Sequence, residues 1–209
     1  MNIVVVFPTQ TEAQYFAHPQ VAVEICGVGL TAASYNTCKI IAKRRPDHLI
    51  MAGIAGVYEH SALSVGDVVI VESECEADLG FFTPRGFTHL TDLDLAMDFT
   101  VIKSWDCPYR IPEIILPRAK SNSMNAAMAP FIATQQIDIE NMEGAAFFQV
   151  CLAEQQAFFE VRSISNLVNI GDDQWDMEGS IRALTAGLHK LVDYLLAGGE
   201  VHIRGDAKG

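Results

Sequence analysis

Short apolar runs rich in β-branched residues recur along the chain: NIVVVF (2–7), VAVEIC (21–26), DHLIMAG (47–53), GDVVIVES (66–73), EIILPRA (113–119) and FFEVRSIS (158–165). Runs of this length without polar alternation suit strands covered on both faces. Helical spacing falls between several of them, at 30–44, 143–156 and 178–197. Such alternation predicts an α/β fold: one domain with a mainly parallel or mixed central sheet flanked by helices. The domain is expected over 1–197, with the polar stretch 198–209 as a loose C-terminal tail. Its Arg204-Gly205-Asp206 tripeptide is a chance-level match. Segment 79–112 breaks the pattern, setting Phe81, Phe82, Phe87, Phe99, Trp105 and Tyr109 among Gly, Pro and Asp. A long irregular stretch of that kind predicts a binding loop or an interface.

The same pattern marks places where polarity is out of step. PTQTE follows the first expected strand, GVG (27–29) the second, GIAG (53–56) the third, and SISN lies in and after the sixth. Ligands of open parallel sheets bind outside the carboxyl ends of strands, so this clustering predicts the site. Thr9 and Glu12 have the spacing of a capping box. GVG could hold an anion on backbone N–H groups or simply pack a strand against a helix. Neither it nor GIAG is a full dinucleotide fingerprint, and no P-loop pattern occurs. Arg162 lies among apolar and small neighbours, where a cation needs a partner unless the strand end is exposed. Glu143 precedes Ala145, Ala146, Phe147, Phe148, Val150, Cys151 and Leu152, which are apolar on nearly every face of a helix. The first turn is therefore expected to be buried, and a desolvated carboxylate there needs donors as well as the helix dipole. Glu140 is expected to be a solvated acid just outside the site.

Composition narrows the partners. The 209 residues carry 26 Asp+Glu against 14 Lys+Arg, a net charge of −12. A surface of that sign repels a phosphate backbone, so no nucleic-acid partner is expected. The opening MNIVVVFPTQ has no basic leader region, and no run approaches a membrane span. A soluble cytoplasmic protein is expected. Five cysteines and six histidines are scattered without ligand spacing, so reduced thiols and no metal are expected.

Read together, MEGAA (142–146), RSISN (162–166) and GIAG (53–56) resemble the nucleoside phosphorylase and nucleosidase superfamily over residues 1 to about 197. Within it the nearest likeness is to the futalosine hydrolases, nucleosidases of the alternative menaquinone pathway. That likeness is carried by FPTQTEA (7–13), EADLG (76–80), NMEGAAFF (141–148) and SNLVNIGDDQW (165–175). The resemblance implies hydrolysis of an N-glycosidic bond, with a small-molecule nucleoside as substrate, no metal or organic cofactor, and a homodimer or higher homo-oligomer. It makes Glu12 the base that activates water, Glu143 the acceptor for the ribose hydroxyls, and Met142 a contact to the ribose. Arg162 would help to hold the water and neutralise the acids. Ile54, Ala55 and Gly56 would form a glycine turn beside the sugar, and residues 120–128 the wall under the purine. Asn166 stands where relatives acting on adenine nucleosides have an aspartic acid. Its NH₂ suits the two acceptors of hypoxanthine, O6 and N7, better than adenine. Phosphorylases of this superfamily have a basic loop after the first strand, whereas FPTQTEA carries an acid, which favours water over phosphate. The expected reaction is release of hypoxanthine from futalosine; methylthioadenosine or S-adenosylhomocysteine cleavage, an inosine-acting nucleosidase and a non-catalytic nucleoside sensor are the alternatives.

Overall fold

A computed structural model describes residues 1–93, 98, 100–169 and 175–204. In chain order the elements are β1 (Ile3–Phe7), α1 (Gln10–Ala13), β2 (Val21–Ile25), α2 (Leu30–Arg44), β3 (His48–Val57), β4 (Val68–Glu76), β5 (Gly80–Thr83), β6 (Gly86–His89), β7 (Ser104–Asp106), β8 (Tyr109–Arg110), β9 (Arg118–Ser123), β10 (Ile139–Asn141), α3 (Gly144–Ala153), β11 (Phe158–Leu167), α4 (Met177–Leu196) and β12 (His202–Ile203). The main sheet runs β10-β9-β4-β11-β3-β1-β2, with β7 added on β4. β1 lies parallel to β2 and β3, and β3 parallel to β11, while β4 runs antiparallel to β11. The sheet is therefore mixed. Because β10 pairs with both β9 and β3, these strands with β4 and β11 close into a ring at one side of the sheet.

Successive side chains of a strand point to opposite faces, and the core divides accordingly. Val4, Val6, Leu49, Met51 and Phe158 pack against α2 and α3, through residues such as Ala33, Ile40, Phe147 and Phe148. Ile3, Val5, Phe7, Ile50, Phe159 and Val161 pack against Leu184, Leu188, Leu191, Val192 and Leu195 of α4. Each of those α4 side chains contributes roughly 1.5–3 kcal/mol by leaving water.

Several sequence expectations change. The run 113–119 is not a strand: Ile115 N–H closes a turn onto Pro112 O and Ile114 is 91% exposed. The strand starts at Arg118 and reads RAKSNS, with Ser121, Asn122 and Ser123 buried. Apart from Ala119 its buried positions are polar and bond inside the protein, so the strand is no apolar run. GIAG makes no turn, since β3 continues through it to Val57. A Cβ on Gly53 would run into Arg162 Nη1, and one on Gly56 would meet Asn166 Nδ2 at 3.3 Å and Val168 Cγ2 at 2.7 Å. Both glycines serve close approach inside the sheet. The tail is tied down in part: β12 pairs with β8, and Arg204 N–H donates to Pro108 O at 2.7 Å. The aromatic segment contains the β5–β6 hairpin, where Phe82 and Phe87 pack on Phe131. Phe99, residues 170–174, and Gly205 and Asp206 of the tripeptide lie outside the described residues. All five cysteines are free, with Cys26, Cys107 and Cys151 buried.

Candidate active site

A cavity of about 320 Å³ opens at the ends of β1, β3, β10 and β11. Glu12, Ile54, Ala55, Gly56, Met142, Glu143 and Asn166 all line it. Arg162 is not on that wall. It is 1% exposed and its Nη1 lies 3.2 Å from Glu143 Oε2.

Glu12 is placed by the short helix α1. Thr9 at its N-cap accepts from Glu12 N–H at 3.1 Å and donates its own hydroxyl hydrogen to Glu12 Oε2 at 2.6 Å. This is half a capping box. The carboxylate does not return to the cap's backbone but crosses to β3, where Ile54 N–H donates to Oε1 at 3.1 Å. Burial pushes the Glu12 pKa above the usual carboxylate range; Thr9, Ile54 and the Arg162 charge pull it part of the way back. A partly desolvated, raised carboxyl in a cleft has the character of a general base.

Glu143 sits at the N-cap position of α3, yet its side chain makes no cap bond. One oxygen accepts Gly29 N–H at 3.2 Å and the other Arg162 Nη1 at 3.2 Å. The anion held by GVG is thus Glu143. The start of α3 is capped instead by Asn141, whose Oδ1 accepts from the N–H groups of Glu143 and Gly144 at 2.8 and 2.7 Å. Arg162 also donates from Nε to Glu160 Oε1 at 2.7 Å, from Nη2 to Asn141 Oδ1 at 3.0 Å and from Nη1 to Ile54 O at 3.2 Å. Burial opposes its charge, but Glu160 and Glu143 outweigh that and raise its pKa. Behind this pair lies Glu74, wholly buried, with Ser123 Oγ and Asn141 Nδ2 donating to it. Burial, and then the Glu160 charge, drive its pKa well above the usual carboxylate range.

Asn166 lies after an irregularity in β11, opposite Gly56. Its Oδ1 is 2.8 Å from Ser165 Oγ, and its Nδ2 donates to Leu167 O at 3.2 Å. The Asn166 side chain lines the cavity.

Sequence reasoning missed several residues. Glu140 is buried, not solvated: it lines the cavity, accepts from Tyr58 Oη at 2.9 Å and from Met128 N–H at 2.8 Å, and burial raises its pKa. Pro8, Val28, Ala127, Met128, Trp175 and Met177 complete the apolar wall. Of these, Ala127 and Met128 fall in the stretch expected to lie under the purine. Glu74 and Glu160 had no signal except two acids inside apolar runs.

The chain shares its fold with nucleosidases of known structure, and its sequence relatives are nucleosidases. It is 27% identical over 190 residues to the futalosine hydrolase of Thermus thermophilus, covering 79% of this chain and 78% of that protein. It is 28% identical over 165 residues to a 5'-methylthioadenosine/S-adenosylhomocysteine nucleosidase of Hydrogenovibrio crunogenus, covering 68% and 65% of the two. The structure of futalosine hydrolase from Helicobacter pylori superposes with a TM-score of 0.71 at 15% identity, over 92% of this chain and 97% of that one. No family model matches the chain.

Proposed function

We propose that the protein is a purine nucleosidase that cleaves the N-glycosidic bond of futalosine, releasing hypoxanthine and dehypoxanthinyl futalosine. Purine nucleoside hydrolysis is what both groups of relatives support in common. The observation that carries the reading is one cavity bearing three buried carboxylates, of which Glu12 and Glu143 are each braced by a backbone N–H from another element. Among the described residues, none lining the cavity is a lysine or arginine. A phosphate nucleophile would meet only acids there, so water is the better nucleophile.

In this reading Glu143 accepts hydrogen bonds from the ribose hydroxyls through its remaining lone pairs, with Met142 packed beside the sugar. Its charge also favours the oxocarbenium-like sugar that forms as the base departs. Ionised Glu12 takes a proton from a water placed against the anomeric carbon, worth about 10²–10⁴-fold in rate. Arg162 holds Glu143 in orientation through Nη1. Asn166 donates from its amide to the purine. Ile54, Ala55 and Gly56 form the strand wall beside the sugar.

Cleavage of methylthioadenosine or S-adenosylhomocysteine is the second reading, favoured by the relative at 28% identity. Incubation with futalosine, inosine and methylthioadenosine, with and without phosphate, separates the readings by the free base released. Hypoxanthine from futalosine without phosphate is the expected result; adenine from methylthioadenosine alone would transfer the assignment, and strict phosphate dependence would refute hydrolysis. A cytoplasmic homodimer or higher oligomer belongs to the same proposal, with the exposed Phe81 and Phe82 of the β5–β6 hairpin at its edge, and sedimentation velocity tests it. No helix among the described residues is long and apolar enough to cross a membrane.

A further inference from the structure

Two wholly buried acids take no part in the proposed reaction, Glu74 of β4 and Glu160 of β11. Both carboxyls reach the space that Gly144 leaves open at the start of α3: a Cβ there would collide with Glu74 Oε1 and stand 2.6 Å from Glu160 Oε1. They are within reach of each other. Donors around them are few. Glu74 accepts from Ser123 Oγ and Asn141 Nδ2 at 2.7 and 2.6 Å. Glu160 Oε1 accepts from Arg162 Nε at 2.7 Å, while Glu160 Oε2 has no partner among the described residues. Three buried carboxyls, Glu74, Glu160 and Glu143, thus surround the single cation Arg162. Unpaired charge in such a place is relieved by taking up a proton. An ionised carboxylate only accepts, whereas a protonated one also donates. One proton between Glu74 and Glu160 therefore removes the surplus charge and turns two facing acceptors into a bonded pair.

This pair backs both handles on Glu143. Glu160 fixes Arg162 Nε, and Arg162 Nη1 donates to the Glu143 carboxylate at 3.2 Å. Glu74 fixes Asn141 Nδ2, and Asn141 Oδ1 accepts the Glu143 N–H at 2.8 Å. Side chain and backbone of Glu143 are each set by way of one of the two acids.

We infer that Glu74 and Glu160 share one proton and act as positioning residues for Glu143, so that loss of this proton at alkaline pH loosens the carboxylate that meets the ribose. The effect on turnover rests on the nucleosidase reading; the shared proton does not. The other ionisable groups facing the pair are Arg162, Glu143, the thiols of Cys107 and Cys151 and the Tyr58 phenol. Burial pushes the Cys107 thiol up to about 12 and raises Cys151 and Tyr58 too, so all three keep their protons while the pair titrates.

Infrared spectra of the intact protein test the proton directly. At mildly alkaline pH the parent should show the carbonyl stretch of a protonated carboxylic acid, and Glu74→Gln should lose it. Absence of that band from the parent would overturn the inference, as would its persistence in Glu74→Gln. Melting curves give a second measure. Burial and the facing Glu160 charge raise the Glu74 pKa in the fold, and stability held by such a group is lost as pH rises through the raised value. The parent's melting temperature should fall as pH rises above the ordinary carboxylate range and that of Glu74→Gln should fall less, because an amide has no such proton to lose; parallel curves would count against the pair. In turnover, one pH unit above the parent's alkaline midpoint, kcat/KM of Glu74→Gln should exceed the parent's by about tenfold. Nucleoside turnover with the same pH course in both proteins discards the positioning role and keeps the nucleosidase. The expected infrared and melting results without turnover of any nucleoside keep the shared proton and discard the nucleosidase reading.

Discussion

The two faces of the central sheet are built on opposite principles. Against α4 the strands present Ile3, Val5, Phe7, Ile50, Phe159 and Val161, an apolar layer with no ionised group among its buried members. Against α3 the same strands begin with Phe158 and Leu49 but reach Glu160 and Arg162 within one β11 run, where Glu74, Asn141 and Glu143 join them. One face holds the chain together by removing hydrocarbon from water. The other orders charges whose burial is costly unless every partner is present. The α4 side of the sheet is thus an apolar core alone, whereas the α2/α3 side sets the site's charges into a second apolar core.

That division can be broken from the polar side first. Glu12→Gln is expected to lower kcat by about 10²–10⁴-fold with purine binding retained, measured by steady-state release of base beside calorimetry; near-normal rates would return Glu12 to a capping role only. Arg162→Leu leaves Glu143, Glu160 and Asn141 without their shared donor. It is expected to cost about 3–5 kcal/mol in denaturant unfolding, together with loss of activity in whatever fraction remains folded. Leu188→Ala, on the apolar face, should cost about 2–5 kcal/mol. In contrast to Arg162→Leu, its kcat and KM per folded molecule should match the parent at low temperature. A change in KM there would show that the two faces are not separable.

Smaller effects sharpen the same contrast. Asn166→Asp should move the preference toward adenine nucleosides by about tenfold, read as a ratio of kcat/KM values. Thr9→Val should cost about 0.5–2 kcal/mol through the lost cap, and it should also move the pH profile. The base works only when ionised, and burial already sets Glu12 above the usual carboxylate pKa. The Thr9 hydroxyl favours the ionised form, so its removal raises that pKa further. The acidic limb of kcat/KM against pH should therefore shift to higher pH in Thr9→Val; a shift downward would contradict the hydrogen bond.

Legibility followed the chemistry of burial. Strands buried for hydrocarbon, such as β1 and β3, announced themselves as apolar runs. β9 did not, because Ser121, Asn122 and Ser123 are buried for their hydrogen bonds. Glu143 was readable from the apolar helix behind it, whereas Glu140, three residues earlier, has no such helix. Its burial depends on Tyr58 and Met128, residues distant in the chain that only folding brings to it.

By itself the sequence determined the alternation of strands and helices, the burial of the turn before α3 and the stock of acids at strand ends, because periodicity and local apolarity are properties of neighbouring residues. Only the tertiary structure decided which of those acids meet. Glu12 reaches Ile54, Glu143 reaches Gly29 and Arg162, and Glu140 reaches Tyr58 and Met128 because β1, β3, β10 and β11 end together. Such meetings depend on strand order and register, which residues far apart in the chain set jointly through packing.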